Sequence, residues 1–259
     1  MPRASGLLAV ATLVTALELA GCRSAAGPQE LQRILCLGDS ITAGVTRSSA
    51  PGRPMSVDPL GGYPGRLQRR LGDRVRVMKR AVGGATTTFW LADPREPTGA
   101  AFWSALMGAE SADQPPAGAA SVVGAVMQHD RPELVVILLG VNDLNFAARE
   151  RGEAVVGEVA ERLTMLQREA LSVARVALVA TALPSLRDPP PLRDALNARI
   201  RAEHPDFLPL GERFAAAGWE RLLGDEIHPN EDGYEVLAAI LAEELTRRAL
   251  VAAPANNRR

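Results

Sequence analysis

The chain has 259 residues, 47% of them hydrophobic, and a formal net charge of −1. This length accommodates one globular domain with a sizeable core and does not require a second. The near-neutral charge provides no field that would attract nucleic acid, and no basic stripe with interleaved aromatic residues predicts a nucleic-acid partner. The oligomeric state is left open.

The first residues have the layout of an export signal. A short positive start precedes an apolar stretch, Leu7 to Ala20, which is too short to span a bilayer comfortably. The ending Leu19-Ala20-Gly21-Cys22 resembles the lipobox of bacterial lipoproteins, which implies cleavage before Cys22 and its lipidation. A plain secretory peptide is the alternative, and Glu18 inside the apolar stretch favours it.

These features predict the division of the chain. Residues 1–21 form a lipoprotein-type signal peptide, 22–30 a tether, 31–250 the folded domain and 251–259 a disordered tail. The expected location is the bacterial cell envelope, on the periplasmic or surface side, with the protein exported and held at the membrane by its N-terminal lipid.

Short apolar runs alternate with amphipathic segments along the rest of the chain. The runs lack an alternating polar pattern, which is typical of strands covered on both faces. Helical spacing puts Val155, Val159 and Leu163 on one face of an intervening segment. Strands alternating with helices predict a doubly wound α/β fold around a parallel sheet. The predicted strands are Arg33–Leu37, Val75–Met78, Leu134–Leu139, Val176–Thr181 and Phe207–Leu210.

Two long segments, 47–60 and 93–118, interrupt this pattern and are predicted to be loops. Both are rich in Pro, Gly, Ser and Ala. Long loops in a compact domain are usually functional or disordered. Loops that follow strands overhang the carboxyl edge of an open sheet, where ligands bind.

The first strand ends at Gly38-Asp39-Ser40, which puts a serine at the carboxyl edge of the sheet. Its hydroxyl can face a cleft, and its N–H can point into the same space from the first turn of a helix. Ser40 is therefore placed to act as a nucleophile. The alternative is that it only caps the helix that follows.

A serine nucleophile needs a base, and the chain has three histidines. His129 and His204 lie in polar turns and are predicted to be surface residues. His228 lies in a turn-rich stretch before the last predicted helix. Asp225, three residues earlier, can fold back to orient the imidazole, and Glu226 is the weaker rival for that role.

Donors for a developing oxyanion can be found at two further strand ends. Asn142 follows the third predicted strand and has a side-chain amide, and Gly84 offers a backbone N–H that no side chain obstructs. Each has a structural alternative, since Asn142 could form an Asx turn and Gly83-Gly84 could simply permit a tight loop.

Nothing in the sequence predicts a metal or a cofactor. No cluster of His, Cys and carboxylate residues has the spacing of metal ligands. Neither Gly61-Gly62 nor Gly83-Gly84 gives the spaced glycine fingerprint or the lysine of a nucleotide site.

Four short motifs, in this order, resemble the signature blocks of the SGNH hydrolases, also called GDSL esterases and lipases. They are Gly38-Asp39-Ser40, Gly84, Gly140-x-Asn142-Asp143 and Asp225-x-x-His228-Pro229. The resemblance spans residues 34–234 and implies a flavodoxin-like, three-layer α/β/α fold with a five-stranded parallel sheet. It also implies serine hydrolysis that needs neither metal nor cofactor.

The resemblance also assigns roles to single residues. It implies Ser40 as the nucleophile, His228 as the base and Asp225 as the acid that orients it. The implied oxyanion donors are the Ser40 N–H, the Gly84 N–H and the Asn142 side chain. Asp39 and Asp143 are implied to support the site.

Two positions depart from the pattern of the family. Many members carry Asn a few residues before the second-block glycine, where this chain has Lys79, and Gly83 stands where Ser is common. These departures leave open how the loop that carries Gly84 is supported.

The expected function is hydrolysis of carboxylic esters with short or medium acyl chains through an acyl-enzyme. Alternatives are a carbohydrate O-acetyl esterase or an acyltransferase acting on cell-envelope polysaccharide, and a surface binding protein that has lost catalysis. The substrate would be a small-molecule, glycan or lipid ester. Phe102, Trp103 and Met107 would either line the cleft and favour an apolar acyl group or form a small lid core.

Overall fold

The computed structural model describes residues 30–47, 55–108, 113–187 and 190–252. The predicted signal peptide, the lipidation residue Cys22, all of the tether but residue 30, and most of the predicted tail lie outside these ranges.

The described chain alternates strands and helices, as predicted. The strands are β1 (Arg33–Gly38), β2 (Val45–Thr46), β3 (Ser56–Val57), β4 (Arg76–Ala81), β5 (Leu134–Leu138) and β6 (Val176–Val179). The helices are α1 (Ser40–Ala43), α2 (Gly62–Leu71), α3 (Thr87–Leu91), α4 (Pro97–Met107), α5 (Val122–Asp130), α6 (Val141–Arg151), α7 (Ala154–Leu171), α8 (Pro190–Glu203), α9 (Leu210–Ala216) and α10 (Glu231–Arg247), with a 3₁₀ turn at Trp219–Leu222.

The main sheet is parallel and has the strand order β4-β1-β5-β6. Strand β1 is central, with Leu35 paired to Met78 on one side and to Val135 on the other. The chain leaves β1 towards β4 and later returns to the opposite side of β1 as β5. Ligands bind in open α/β sheets at this kind of reversal, beyond the carboxyl ends of the strands.

Helices cover both faces of the sheet because successive side chains of a strand point to opposite sides. Leu35 and Leu37 of β1 belong to a core shared with α3 to α8. Ile34 and Cys36 belong to a second core shared with α2, α9 and α10. The result is the predicted three-layer α/β/α fold.

The fifth predicted strand, Phe207–Leu210, contributes one pair of residues to the sheet. Leu208 makes a parallel bridge with Ala180. Its N–H donates to the Val179 carbonyl, and its carbonyl accepts from the Thr181 N–H. The Leu210 N–H, which would make the next ladder bond, donates to the Leu208 carbonyl at 2.9 Å instead, and α9 begins at Leu210. The described sheet therefore has four strands and this single bridge beside β6.

The segment 93–118, predicted to be a loop, contains helix α4. Its aromatic residues do not form a cleft wall. Phe102 and Trp103 are buried, and Phe102 packs edge-on against Trp90 with ring centroids 5.0 Å apart. Both belong to the core between the sheet and α3 to α8, and Met107 packs partly buried against it, so the structure favours a core role over a lining of the cleft. The other predicted loop, 47–60, contains β3, which forms a short antiparallel hairpin with β2.

No helix within the four described ranges is both long enough and apolar enough to span a bilayer.

The prediction that His204 is a surface residue is wrong, whereas His129 is exposed as predicted. His204 follows the last residue of α8, is 1% exposed and donates from Nδ1 to Gln167 Oε1 at 2.7 Å. Its Nε2 is buried and has no hydrogen-bond partner in the described part of the chain. A protonated Nε2 would be a buried donor without an acceptor, so the neutral ring is favoured.

We expect His204 to make the stability of the protein depend on pH. Burial lowers its pKa below the ordinary 6.5, with Glu203 opposing the shift. Below about pH 6.5 the unfolded chain binds a proton that the folded one does not, so the free energy of unfolding falls as the pH decreases. In urea denaturation between about pH 7.5 and pH 5.5, His204→Gln should show a shallower dependence than the wild type. Equal slopes would contradict this role.

Candidate active site

Ser40 lies where β1 ends and α1 begins. The backbone turns sharply after Gly38, and the Asp39 side chain caps α1 by accepting from the Ile41 N–H at 2.9 Å. Asp39, and not Ser40, is therefore the cap of this helix. Ser40 is the first helical residue and is 6% exposed. Its hydroxyl lies at the carboxyl edge of the central strand, as predicted.

The structure brings together the three residues of the predicted relay. Ser40 Oγ is 2.9 Å from His228 Nε2, and His228 Nδ1 is 2.8 Å from Asp225 Oδ2. An ionised carboxylate only accepts hydrogen bonds, so Nδ1 carries the proton and Nε2 presents its lone pair to the serine hydroxyl. An imidazole oriented in this way can take a proton from Ser40.

Asp225, and not Glu226, contacts the imidazole. Asp225 Oδ1 also accepts from the backbone N–H groups of Ile227 and His228, at 2.8 and 2.7 Å. Burial raises the pKa of the Asp225 carboxyl, but the hydrogen bonds from His228 and Ile227 outweigh it and lower the pKa below its ordinary value. The carboxylate therefore stays ionised next to His228, while Glu226 is exposed.

The loop that carries the Asp–His pair is closed on itself and tied to the segment after Ser40. The Gly224 N–H donates to the His228 carbonyl at 2.8 Å. The Thr46 hydroxyl of β2 donates to the Pro229 carbonyl at 3.0 Å, although the two residues are 183 positions apart in sequence. These bonds hold the loop of His228 next to the segment that follows Ser40.

The predicted oxyanion residues lie on two segments that a hydrogen bond joins. Asn142, at the start of α6, donates from Nδ2 to the Ala85 carbonyl at 2.9 Å. A primary amide has two N–H bonds, so this contact uses one and leaves the other for a ligand. A Cβ on Gly83 would lie 4.0 Å from Ser40 Cβ, so the turn that contains Gly83 and Gly84 passes beside Ser40.

Gly84 has φ = 77°, in the left-handed region that favours glycine. A Cβ at this position would meet no atom within 4 Å. Glycine is therefore required here by the backbone conformation of the turn and not by a lack of space for a side chain. The turn is closed by a hydrogen bond from the Ala85 N–H to the Val82 carbonyl at 3.1 Å.

Asp143, the residue after Asn142 in α6, holds the same loop. Its carboxylate accepts from the Thr87 hydroxyl at 2.6 Å and from the Thr87 N–H at 3.0 Å. Arg162 of α7 donates from Nε to the Thr87 hydroxyl oxygen at 2.9 Å. Burial raises the pKa of the Asp143 carboxyl, and the Thr87 bonds and the Arg162 charge oppose that shift. Asp143 is thus buried and supports the turn through Thr87.

Lys79, which stands where many family members have asparagine, contacts two backbone carbonyls. Its Nζ donates to the Ala43 carbonyl at 2.9 Å and to the Gly61 carbonyl at 3.3 Å. Ala43 is the last residue of α1, whose first residue is Ser40. Lys79 of β4 therefore holds the end of α1 against the loop that precedes α2.

Sequence reasoning did not find Thr87, Arg162 or the role of Lys79. Thr87 has no motif of its own, and its partner is 56 residues away in sequence. Arg162 was detectable as a charge directly beside the buried position Leu163, but its target depends on how α7 packs against α3. Within the described ranges, no three His, Cys, Asp or Glu side chains are arranged to hold a metal ion.

Comparison with known proteins agrees with this arrangement. The sequence model of the GDSL-like lipase/acylhydrolase family matches residues 36–236. No curated protein matches the chain in sequence.

Several solved structures have the same fold. A catalytic mutant of an acetylxylan esterase from Geobacillus stearothermophilus is 18% identical with a TM-score of 0.53, over 83% of this chain and 94% of that one. A member of the lipolytic protein G-D-S-L family from Veillonella parvula is 17% identical with a TM-score of 0.54, over 83% and 99%. At these identities the likeness establishes the fold, whereas the family match covers most of the sequence. The chain belongs to the GDSL-like lipase/acylhydrolase family of ester-hydrolysing enzymes.

Proposed function

We propose that the protein is a serine esterase that hydrolyses carboxylic esters of short or medium acyl chains through an acyl-enzyme intermediate. The hydrogen-bonded triad of Ser40, His228 and Asp225 carries this proposal. A serine hydroxyl alone attacks esters poorly near neutral pH, and a base at 2.9 Å removes that obstacle.

In the first step Ser40 Oγ attacks the ester carbonyl carbon while its proton moves to His228 Nε2. The Asp225 carboxylate stabilises the imidazolium and keeps the proton of Nδ1 in place. The bond to the alcohol oxygen then breaks, and His228 returns its proton to that oxygen. The alcohol leaves, and the acyl group remains on Ser40.

Three donors would stabilise the negative charge that develops on the carbonyl oxygen. They are the Ser40 N–H, the Gly84 N–H and the N–H of Asn142 that does not bond Ala85. Donors held by the fold before the reaction are effective because they need no reorganisation in the transition state. The bond from Asn142 to Ala85 supports this assignment, since it holds the Asn142 amide next to the segment that carries Gly84.

In the second step a water molecule attacks the acyl-enzyme. His228 takes the proton of the water as its oxygen bonds to the acyl carbon, and the tetrahedral intermediate collapses. The proton then passes from His228 to Ser40 Oγ, and the carboxylic acid is released. An acyltransferase would use a sugar hydroxyl in place of water at this step.

We further propose that the protein is an exported lipoprotein anchored through Cys22. The sequence Leu19-Ala20-Gly21-Cys22 after a short apolar stretch supports this location. An anchored enzyme on the periplasmic or surface side would meet lipid and acetylated glycan esters.

Hydrolysis of p-nitrophenyl esters from acetate to palmitate tests the esterase proposal. The wild-type protein should release p-nitrophenol from the shorter esters, and Ser40→Ala should lose at least about 10³-fold in kcat because no other group can form the acyl-enzyme. If the two proteins turned over these esters equally, the serine mechanism would be wrong. Acetylated xylan belongs in the same panel, and turnover confined to it would favour the carbohydrate O-acetyl esterase alternative.

Asn142→Ala should lower kcat by about 10²–10³-fold and change KM little, because the donor acts on charge that develops in the transition state. Steady-state kinetics on the best ester measures both constants.

Asn197→Ala is the matched control for this variant. Asn197 is also a buried asparagine that holds a loop after a strand, through bonds to the N–H and carbonyl of Ala182. A similar loss of stability with kcat within a few-fold of wild type is expected for Asn197→Ala. If both variants lost kcat alike, the loss in Asn142→Ala would reflect loop anchoring only.

Cys22→Ser should abolish incorporation of labelled palmitate in a bacterial host and move the protein out of the membrane fraction, because it removes the thiol that would be acylated. Cys36→Ala is the control, since Cys36 is the other cysteine of the chain and is buried in β1. Label retained in Cys22→Ser would contradict lipidation at this residue.

A further inference from the structure

The exposed apolar side chains of the described residues are distributed unevenly. Scattered exposed apolar residues are normal and need no explanation, but a cluster does. Nine large apolar residues are exposed. Six of them lie on segments that leave the carboxyl ends of β1, β4, β5 and β6: Met55, Val57, Leu60, Phe89, Phe146 and Leu186. The other three, Met165, Leu171 and Val173, lie on α7 or in the turn after it.

We propose that Val57, Phe89, Phe146 and Leu186, the apolar rim, bind the acyl chain of the substrate and select medium-length chains over acetyl. The inference rests on the proposed esterase function and specifies the substrate class of the same site. Each member of the rim comes from a different segment, and each segment also carries or contacts one of the proposed catalytic groups.

Phe146 is the member most closely tied to the oxyanion site. It is four residues after Asn142 in α6, so the two side chains share one face of the helix. Phe146 is 63% exposed. An acyl group whose carbonyl oxygen meets Asn142 would extend past this ring.

Phe89 is held in place by the aromatic residues Phe102 and Trp90. It is five residues after Gly84, and its ring stacks on Phe102 with centroids 5.6 Å apart. Phe102 is itself buried against Trp90. One face of Phe89 is thus supported by protein, while the side chain remains 37% exposed. A ring fixed in this way loses little entropy when an alkyl chain covers it.

The remaining two members lie beside the nucleophile and the base. Val57 pairs with Val45, which is five residues after Ser40, and is 61% exposed. Leu186 is 65% exposed, and its N–H donates to the carbonyl of Glu226, two residues before His228, at 2.8 Å. The rim therefore takes one residue from each of four segments that adjoin the proposed catalytic groups in sequence or through backbone hydrogen bonds.

The apolar composition of the rim favours a chain longer than acetyl. An acetyl group carries one methyl group beyond its carbonyl carbon, whereas a medium-length chain adds methylene groups that the rim can cover. Burial of apolar area strengthens binding in proportion to the area removed from water.

A lipid surface is the less favoured occupant of the same rim. Glu226 lies in the loop of the Asp–His pair and is exposed. Its carboxylate would have to enter the headgroup region if the rim docked flat on a bilayer, at a cost in desolvation. A single acyl chain entering from solvent leaves Glu226 hydrated.

The test compares hydrolysis of monomeric p-nitrophenyl octanoate and acetate by the wild type, Phe146→Ser and Leu186→Ser. Burying one methylene strengthens binding roughly fourfold. The ratio of kcat/KM for octanoate over acetate should therefore fall about tenfold in Phe146→Ser and by a smaller factor in Leu186→Ser. Leu171→Ser, an exposed leucine at the end of α7, should keep the wild-type ratio.

Unchanged ratios in both rim variants would overturn the inference. So would variants that hydrolyse monomeric octanoate normally but lose binding to phosphatidylcholine vesicles in a flotation assay, since the rim would then be a lipid-docking surface. A wild type that hydrolyses acetate as well as octanoate, with loss of activity in Ser40→Ala, would overturn this inference and leave the esterase proposal standing. Wild-type activity in Ser40→Ala would instead overturn the esterase proposal itself.

Discussion

Parallel pairing of β1 with β4 on one side and with β5 on the other is the constraint on which the rest of the structure depends. Because parallel strands end at the same edge, this pairing brings together the residues that follow each of the three strands. Ser40 follows β1, Gly84 follows β4 and Asn142 follows β5. Ser40 and Asn142 thus lie at the same edge of the sheet, although they are more than a hundred positions apart in sequence.

The polar groups at this edge satisfy each other before any ligand binds. Asn142 and Asp143 hold consecutive parts of the glycine turn, and Asp225 accepts from the backbone of its own loop as well as from His228. The serine and histidine are each less than a tenth exposed. Charges interact more strongly in such a site than in water, and the hydrogen bonds that fix Asp225 and Asn142 limit the reorganisation needed in a transition state.

The apolar residues near the edge divide into two groups with different consequences. Phe102 and Trp103 are buried among helices, where they support α3 and the aromatic ring of Phe89. Phe89 and Phe146 remain at the surface, on the helices that follow β4 and β5. An apolar surface next to a polar centre is the usual composition of a site that binds a mostly apolar ligand and orients it with a few hydrogen bonds.

The sequence by itself determined the α/β class, four of the strands and the identity of the residues at the strand ends, because continuous apolar runs and turn residues are local signals. It also favoured Asp225 over Glu226, since an i, i+3 spacing in a turn allows contact. Tertiary structure alone decided the rest. Burial of His204 and Phe102 depends on which helix packs over them, and the support from Lys79, Thr87 and Arg162 depends on partners distant in sequence. The sequence places Pro209 inside an apolar run, but only the pairing geometry reduces that run to a single bridge.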